Sequence, residues 1–224
     1  VFPPSFTLYS KSSFTSFFDP DSLRFTLGTS PDRPLYGAQL ETDMLQRPKL
    51  TLVPAWDKKL PPLASIKSKG MKDSMMTIQP PPGSNEQPIE EKLTLKYGSS
   101  SRTYTFGAAI PSHGIGRRET FAWRRPMKTS KLDKWGLGDL SSMNDDGMTG
   151  ARDLTWERTG EVVARWTEDN GMSSKKTGRF EFLGSGCSGV LGQQWEIMAV
   201  ISMLRIWHED YNTTKTVLEA VGGA

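Results

Sequence analysis

Trp195-Glu196-Ile197-Met198-Ala199-Val200-Ile201-Ser202-Met203-Leu204-Arg205-Ile206-Trp207 reads as a helix without a polar face: from Ile197 to Leu204 only Ser202 interrupts an apolar surface. A helix that is apolar all round must be enclosed by other elements. The apolar run spans about 20 Å at 1.5 Å per residue, short of the ~30 Å of membrane hydrocarbon, and Glu196 and Arg205 bound it closely. The chain is therefore not expected to be transmembrane, and the enclosure has to come from the rest of the chain.

Upstream of that helix the chain breaks into short apolar or alternating runs punctuated by Gly, Pro, Asp and Asn, which is strand spacing. The runs are Phe6–Tyr9, Leu23–Leu27, Leu35–Leu40, Leu50–Pro54, Leu63–Lys67, Ser74–Gln79, Lys92–Tyr97, Thr103–Phe106, Thr120–Arg124, Leu154–Arg158, Val162–Trp166 and Arg179–Leu183. Gly98-Ser99-Ser100-Ser101, Thr159-Gly160 and Asp169-Asn170-Gly171 supply hairpin chemistry, which makes neighbouring strands antiparallel. The expected fold is mainly β: a closed antiparallel β-barrel of about twelve strands around one hydrophobic C-terminal helix. A helix over Gln193–Tyr211 would rise roughly 28 Å, and strands of six to eight residues give a wall of about 20 to 26 Å, so the helix can thread the barrel. Residues 1–224 are read as a single domain, with a Pro-rich surface loop at 79–88 and an irregular loop at 126–150.

Composition bounds the chemistry. The 224 residues are 36% hydrophobic and 24% charged, with 21 Gly and 15 Pro, which suits one globular domain with many turns. A net charge of +3 is too small to indicate a nucleic-acid protein. A single cysteine, Cys187, rules out an intrachain disulfide and fits a reducing, cytoplasmic setting. The opening Val1-Phe2-Pro3-Pro4 has neither a basic leader nor a signal-peptide apolar run. Asn212-Thr213-Thr214 matches the glycosylation pattern without a secretory context.

Each catalytic or ligand motif loses to a plainer reading. Gly184-Ser185-Gly186-Cys187-Ser188-Gly189 is a literal G-x-G-x-x-G, but too little chain follows the helix to complete a βαβ unit, so it reads as a turn that re-aims the chain into the barrel. Cys187 lacks any sequence-level link to a base, since the chain offers only His113, in a loop, and His208, in the expected last helical turn. Ser142-Met143-Asn144-Asp145-Asp146-Gly147, followed by Asp153, lacks the first Asp and the final bidentate Glu of a calcium loop. Two His and one Cys leave no zinc set. No metal or cofactor is expected, and the chain reads as a binding module more than as an enzyme.

One charged feature stands out. Arg117, Arg118, Arg124, Arg125, Lys128, Lys131 and Lys134 face only Glu119 and Asp133 between positions 117 and 134, a segment of +5 in a chain of +3. With Phe121, Trp123 and Trp135 interleaved, this is the composition of a site for anionic lipid headgroups, phosphoinositides included, or an acidic partner. Alternation in a strand Thr120–Arg124, however, turns Phe121 and Trp123 inward and leaves a solvated basic face. The competing expectation is a barrel enzyme or carrier for a small apolar metabolite, with His113, Cys187 or carboxylates at the barrel mouth.

About twelve antiparallel strands ending in one hydrophobic helix, together with Phe121-Ala122-Trp123-Arg124-Arg125 and Gly178-Arg179-Phe180-Glu181-Phe182, resemble the tubby C-terminal-like superfamily, which includes the LURP-one-related proteins and phospholipid scramblases. The style is similar to that of uncharacterised fungal members. The resemblance implies a closed barrel around the helix and, by analogy with members that bind phosphoinositides through basic surface residues, a peripheral attachment to anionic membrane.

Overall fold

The computed structural model describes residues 2–10, 25–42, 47–54, 60–70, 72–98, 102–111, 117–126, 150–169 and 176–222. Twelve strands follow one another: β1 Ser5–Ser10, β2 Phe25–Ser30, β3 Arg33–Thr42, β4 Pro48–Pro54, β5 Ala64–Ser68, β6 Asp73–Ile78, β7 Ile89–Tyr97, β8 Arg102–Ala109, β9 Arg118–Arg124, β10 Arg152–Trp156, β11 Glu161–Glu168 and β12 Lys176–Phe182. Each pairs antiparallel with its neighbour in sequence, and β1 pairs with β12 (Phe6 opposite Phe180), so the sheet closes as an up-and-down barrel. Closure leaves no sheet edge exposed.

The strand residues alternate as a barrel wall requires. In β6, Ser74, Met76 and Ile78 point inward; in β8, Tyr104, Phe106 and Ala108 do. Phe121, Trp123, Trp156, Trp166 and Phe180 are bulky inward side chains; Phe121 stacks on Trp156, Trp123 meets Phe180 edge-on, and the Phe6 and Phe180 rings stack 5.1 Å apart. The helix α1, Gln193–Gly222, enters this lumen. Every side chain from Ile197 to His208 is buried, Ser202 included. The space bounded by Phe6, Leu8, Trp166, Phe180, Val200, Met203, Leu204 and Trp207 does not admit a water molecule. The barrel is filled by its own helix.

The helix runs to Gly222, eleven residues beyond the expected end at Tyr211. No Pro or Gly follows Tyr211 until Gly222, so nothing in the sequence ends the helix earlier. His208 therefore sits within the helix and is buried, not in a last turn where it would meet the dipole.

Because the strands alternate in direction, the joins alternate between the two mouths. The near mouth, where α1 begins, carries the joins after β2, β4, β6, β8, β10 and β12; the far mouth carries the others. The Pro-rich segment 79–88 is the near-mouth join between the paired strands β6 and β7. Asp210 marks the far mouth through its ion pair with Arg152, the first residue of β10, at 2.5 Å. Among the described residues no helix is long and apolar enough to cross a membrane.

Candidate functional site

A pocket opens at the near mouth beside the first turn of α1, with a volume of about 620 Å³, inside the range of small-molecule sites. Proline builds much of its wall: Pro54 at the end of β4, Pro61 and Pro62 before β5, Pro80, Pro81 and Pro82 after β6, and Pro111 after β8. Leu60, Leu63, Ile78, Ile89, Leu191 and Ile197 complete the apolar surface. Proline suits this place because a mouth join has no ladder to donate to, and the ring fixes φ, so the wall is held without a hydrogen-bond network. Leu60 stays 43% exposed, an apolar side chain at the opening with nothing covering it among the described residues.

The polar lining is sparse: Gln79, Gln87, Gln193 and Gln194, with Glu86 exposed at the rim. The first helical bond runs from the Glu196 N–H to the Gly192 carbonyl, and Gly192 at φ +83° starts the helix without a side-chain oxygen of its own. The Glu196 carboxylate, in the first turn, accepts a bond from the Phe2 N–H at 3.3 Å. Together with burial, its charge also raises the hydroxyl pKa of Tyr36.

The glycine motif lies at the same mouth. Gly184–Gly186 forms a single 3₁₀ turn, and the Glu161 carboxylate accepts from the Ser185 N–H at 2.7 Å and from the Ser185 hydroxyl at 2.8 Å. An acidic side chain of the protein already takes the donors that a pyrophosphate would need. Gly186 is required by closeness: a Cβ there would lie 2.1 Å from the Val163 carbonyl oxygen. Cys187 is a free thiol exposed in this turn.

The basic segment is divided by the strand that carries it. Arg117 and Arg118 stand at the near-mouth start of β9 and Arg124 and Arg125 at its other end, about 20 Å further along the backbone at ~3.4 Å per residue, with the Arg124 guanidinium reaching back to Glu157 just past the near-mouth end of β10. Arg117 pairs with Glu119 at 3.2 Å, Arg118 with Glu91, and Arg124 with Glu157 through two bonds of 2.5 and 2.9 Å. That last pair raises the Arg124 pKa and lowers that of Glu157, chiefly through the hydrogen bonds. Arg125 is exposed, and its charge reaches Glu168. Phe121 and Trp123 point inward, as alternation requires. Lys128, Lys131, Lys134, His113 and the acidic stretch 142–147 lie outside the described residues.

At the far mouth Arg152 pairs with Asp210 and Arg205 with Glu209. Arg152, 2% exposed, pairs with Asp210 and lies 5.3 Å from the Tyr104 ring centroid. Burial and the nearby Glu209 and Asp210 push the Tyr104 hydroxyl up to about 12. The space beside Tyr104, Arg205 and Glu209 is only about 10 Å³. Among the described residues, no three His, Cys, Asp or Glu side chains are grouped to hold a metal ion.

Fold and site together define a helix-filled up-and-down barrel with an apolar pocket at the mouth where the helix begins. No family model matches the chain, and neither the curated proteins nor the solved structures contain a match to it.

The pocket prolines were missed in the sequence although a signal for them exists. In a meander, alternate joins share a mouth, and Pro54, Pro61, Pro62, Pro80–Pro82 and Pro111 fall in three alternate joins.

Proposed function

We propose that this chain is a non-enzymatic binding module or carrier that holds a small apolar molecule in the near-mouth pocket. The observation that carries the reading is the pocket itself: about 620 Å³ of proline and aliphatic wall left open beside a lumen that is otherwise full. The divided and largely ion-paired arginines of β9 give less support to an anionic headgroup or acidic partner. The barrel around a buried C-terminal helix is what the resemblance to the tubby C-terminal-like superfamily implies and supports that kinship, a fungal-type and cytoplasmic placement going with it.

The test is titration of the protein into the neutral fluorescent probe N-phenylnaphthylamine. Wild type should enhance its emission saturably. Ala109→Trp, at an exposed position lining the pocket, should weaken binding at least about tenfold, or ~1.4 kcal/mol, with the melting temperature kept. Equal binding by wild type and Ala109→Trp would reject the pocket. Flotation with phosphoinositide vesicles that is lost in an Arg124→Gln/Arg125→Gln variant would favour the anionic-surface reading instead.

A further inference from the structure

Resting on that reading, we infer that the pocket selects a planar, fused-ring aromatic ligand, seated on a row of prolines, over a saturated ligand of the same skeleton. Leu52, Ala64 and Ile78 lie side by side on neighbouring strands and point into the lumen. Pro54, Pro62 and Pro80 each stand two residues further towards the near mouth, hence on the same side of the chain, and all three line the pocket. The Gln79 N–H donates to the Leu63 carbonyl at 2.9 Å, which carries the pairing of β5 and β6 up to Pro62 and Pro80. Strands about 4.8 Å apart set the proline rings in a row about 10 Å long, the length of a fused bicyclic ring.

The chemistry of that row suits an aromatic face. The hydrogens on the proline ring carbon beside the amide nitrogen carry partial positive charge, and the face of an aromatic ring is the negative side of its quadrupole. Proline-rich peptides dock into aromatic-lined grooves through the same pairing, here with the partners exchanged. A proline ring gives up no rotamer freedom when it is covered, so the row is preformed. A saturated ring system has no such face, although its larger apolar area would rank it first if burial alone decided. Gln193 and Gln194, which also line the pocket, each offer a donor and an acceptor to a hydroxyl on the ring.

Calorimetric titration of the full chain with naphthol and with decahydronaphthol, hydroxylated at the same ring position, decides the point. Wild type should bind naphthol at least about fivefold tighter. In a Pro62→Val/Pro80→Val variant, which keeps apolar bulk in place of both rings, that preference should fall to within about twofold, with the affinity for decahydronaphthol and the cooperative melting transition kept. Equal or tighter binding of the saturated compound by wild type, or a preference that the double variant retains in full, would overturn the aromatic selectivity and leave the pocket in place. Binding of neither compound, with N-phenylnaphthylamine bound equally by wild type and Ala109→Trp, would overturn the pocket reading as well.

Discussion

Ser202 interrupts the most apolar run of the chain because one wall residue needs it. The Trp123 indole N–H donates to the Ser202 hydroxyl at 2.9 Å, and that hydroxyl donates to the Ala199 carbonyl at 3.0 Å, all of it buried. Ser202→Ala should cost about 1–3 kcal/mol by leaving a buried indole donor unsatisfied. In Trp123→Phe the same change should cost less, and chemical denaturation of the four proteins in the cycle measures the difference. A second residue is legible only in three dimensions. Glu168 is partly buried, and burial with the nearby Asp210 charge raises its pKa, against the opposing pull of Arg152 and Arg125. A carboxyl raised in the folded state favours its protonated form, so its contribution is full below the ordinary carboxyl range and lost as pH rises through the raised value. Glu168→Gln should therefore raise the melting temperature at neutral pH, with the gain vanishing below about pH 4. Glu157 behaves oppositely: its lowered pKa gives stability above the ordinary range that is lost as pH falls, a small effect for an exposed pair.

At the scale of elements, α1 and β9 show how far periodicity carries. The absence of a polar face on the helix already requires enclosure, and Val200, 1% exposed, meets it. Val200→Asp should abolish soluble folding, because a carboxylate would replace an apolar group with no partner in reach. Ile201→Ala should still fold and lose about 2–5 kcal/mol, measured by denaturant titration, through the cavity it leaves. Native stability in both variants would mean that the helix is not the core. In β9 the same period-two logic places Phe121 and Trp123 inward and exposes the limit of reading charge along a line. Arg118 and Arg124 are close in sequence, yet one pairs with Glu91 and the other with Glu157, on opposite sides of β9.

Over the whole molecule, closure of β1 on β12 makes the two ends of the wall depend on each other, and the helix supplies the interior that twelve strands alone would leave hollow. The twelve strands, their antiparallel order and the buried helix were all legible, because hydrophobic period and turn chemistry are local and survive in the linear text. So was the turn character of Gly184–Gly189. The pocket was not legible as a site. Its prolines come from joins separated by whole hairpins, and only the alternation of mouths in a closed meander brings them to one rim beside Gln193 and Gln194. The pairing of the basic residues was likewise invisible, since Arg118 finds Glu91 on β7, with β8 between them, and Arg124 finds Glu157 just past the end of β10. Local pattern determines which residues face inward; register and closure decide which outward residues meet, because those depend on distances that the order of residues does not contain.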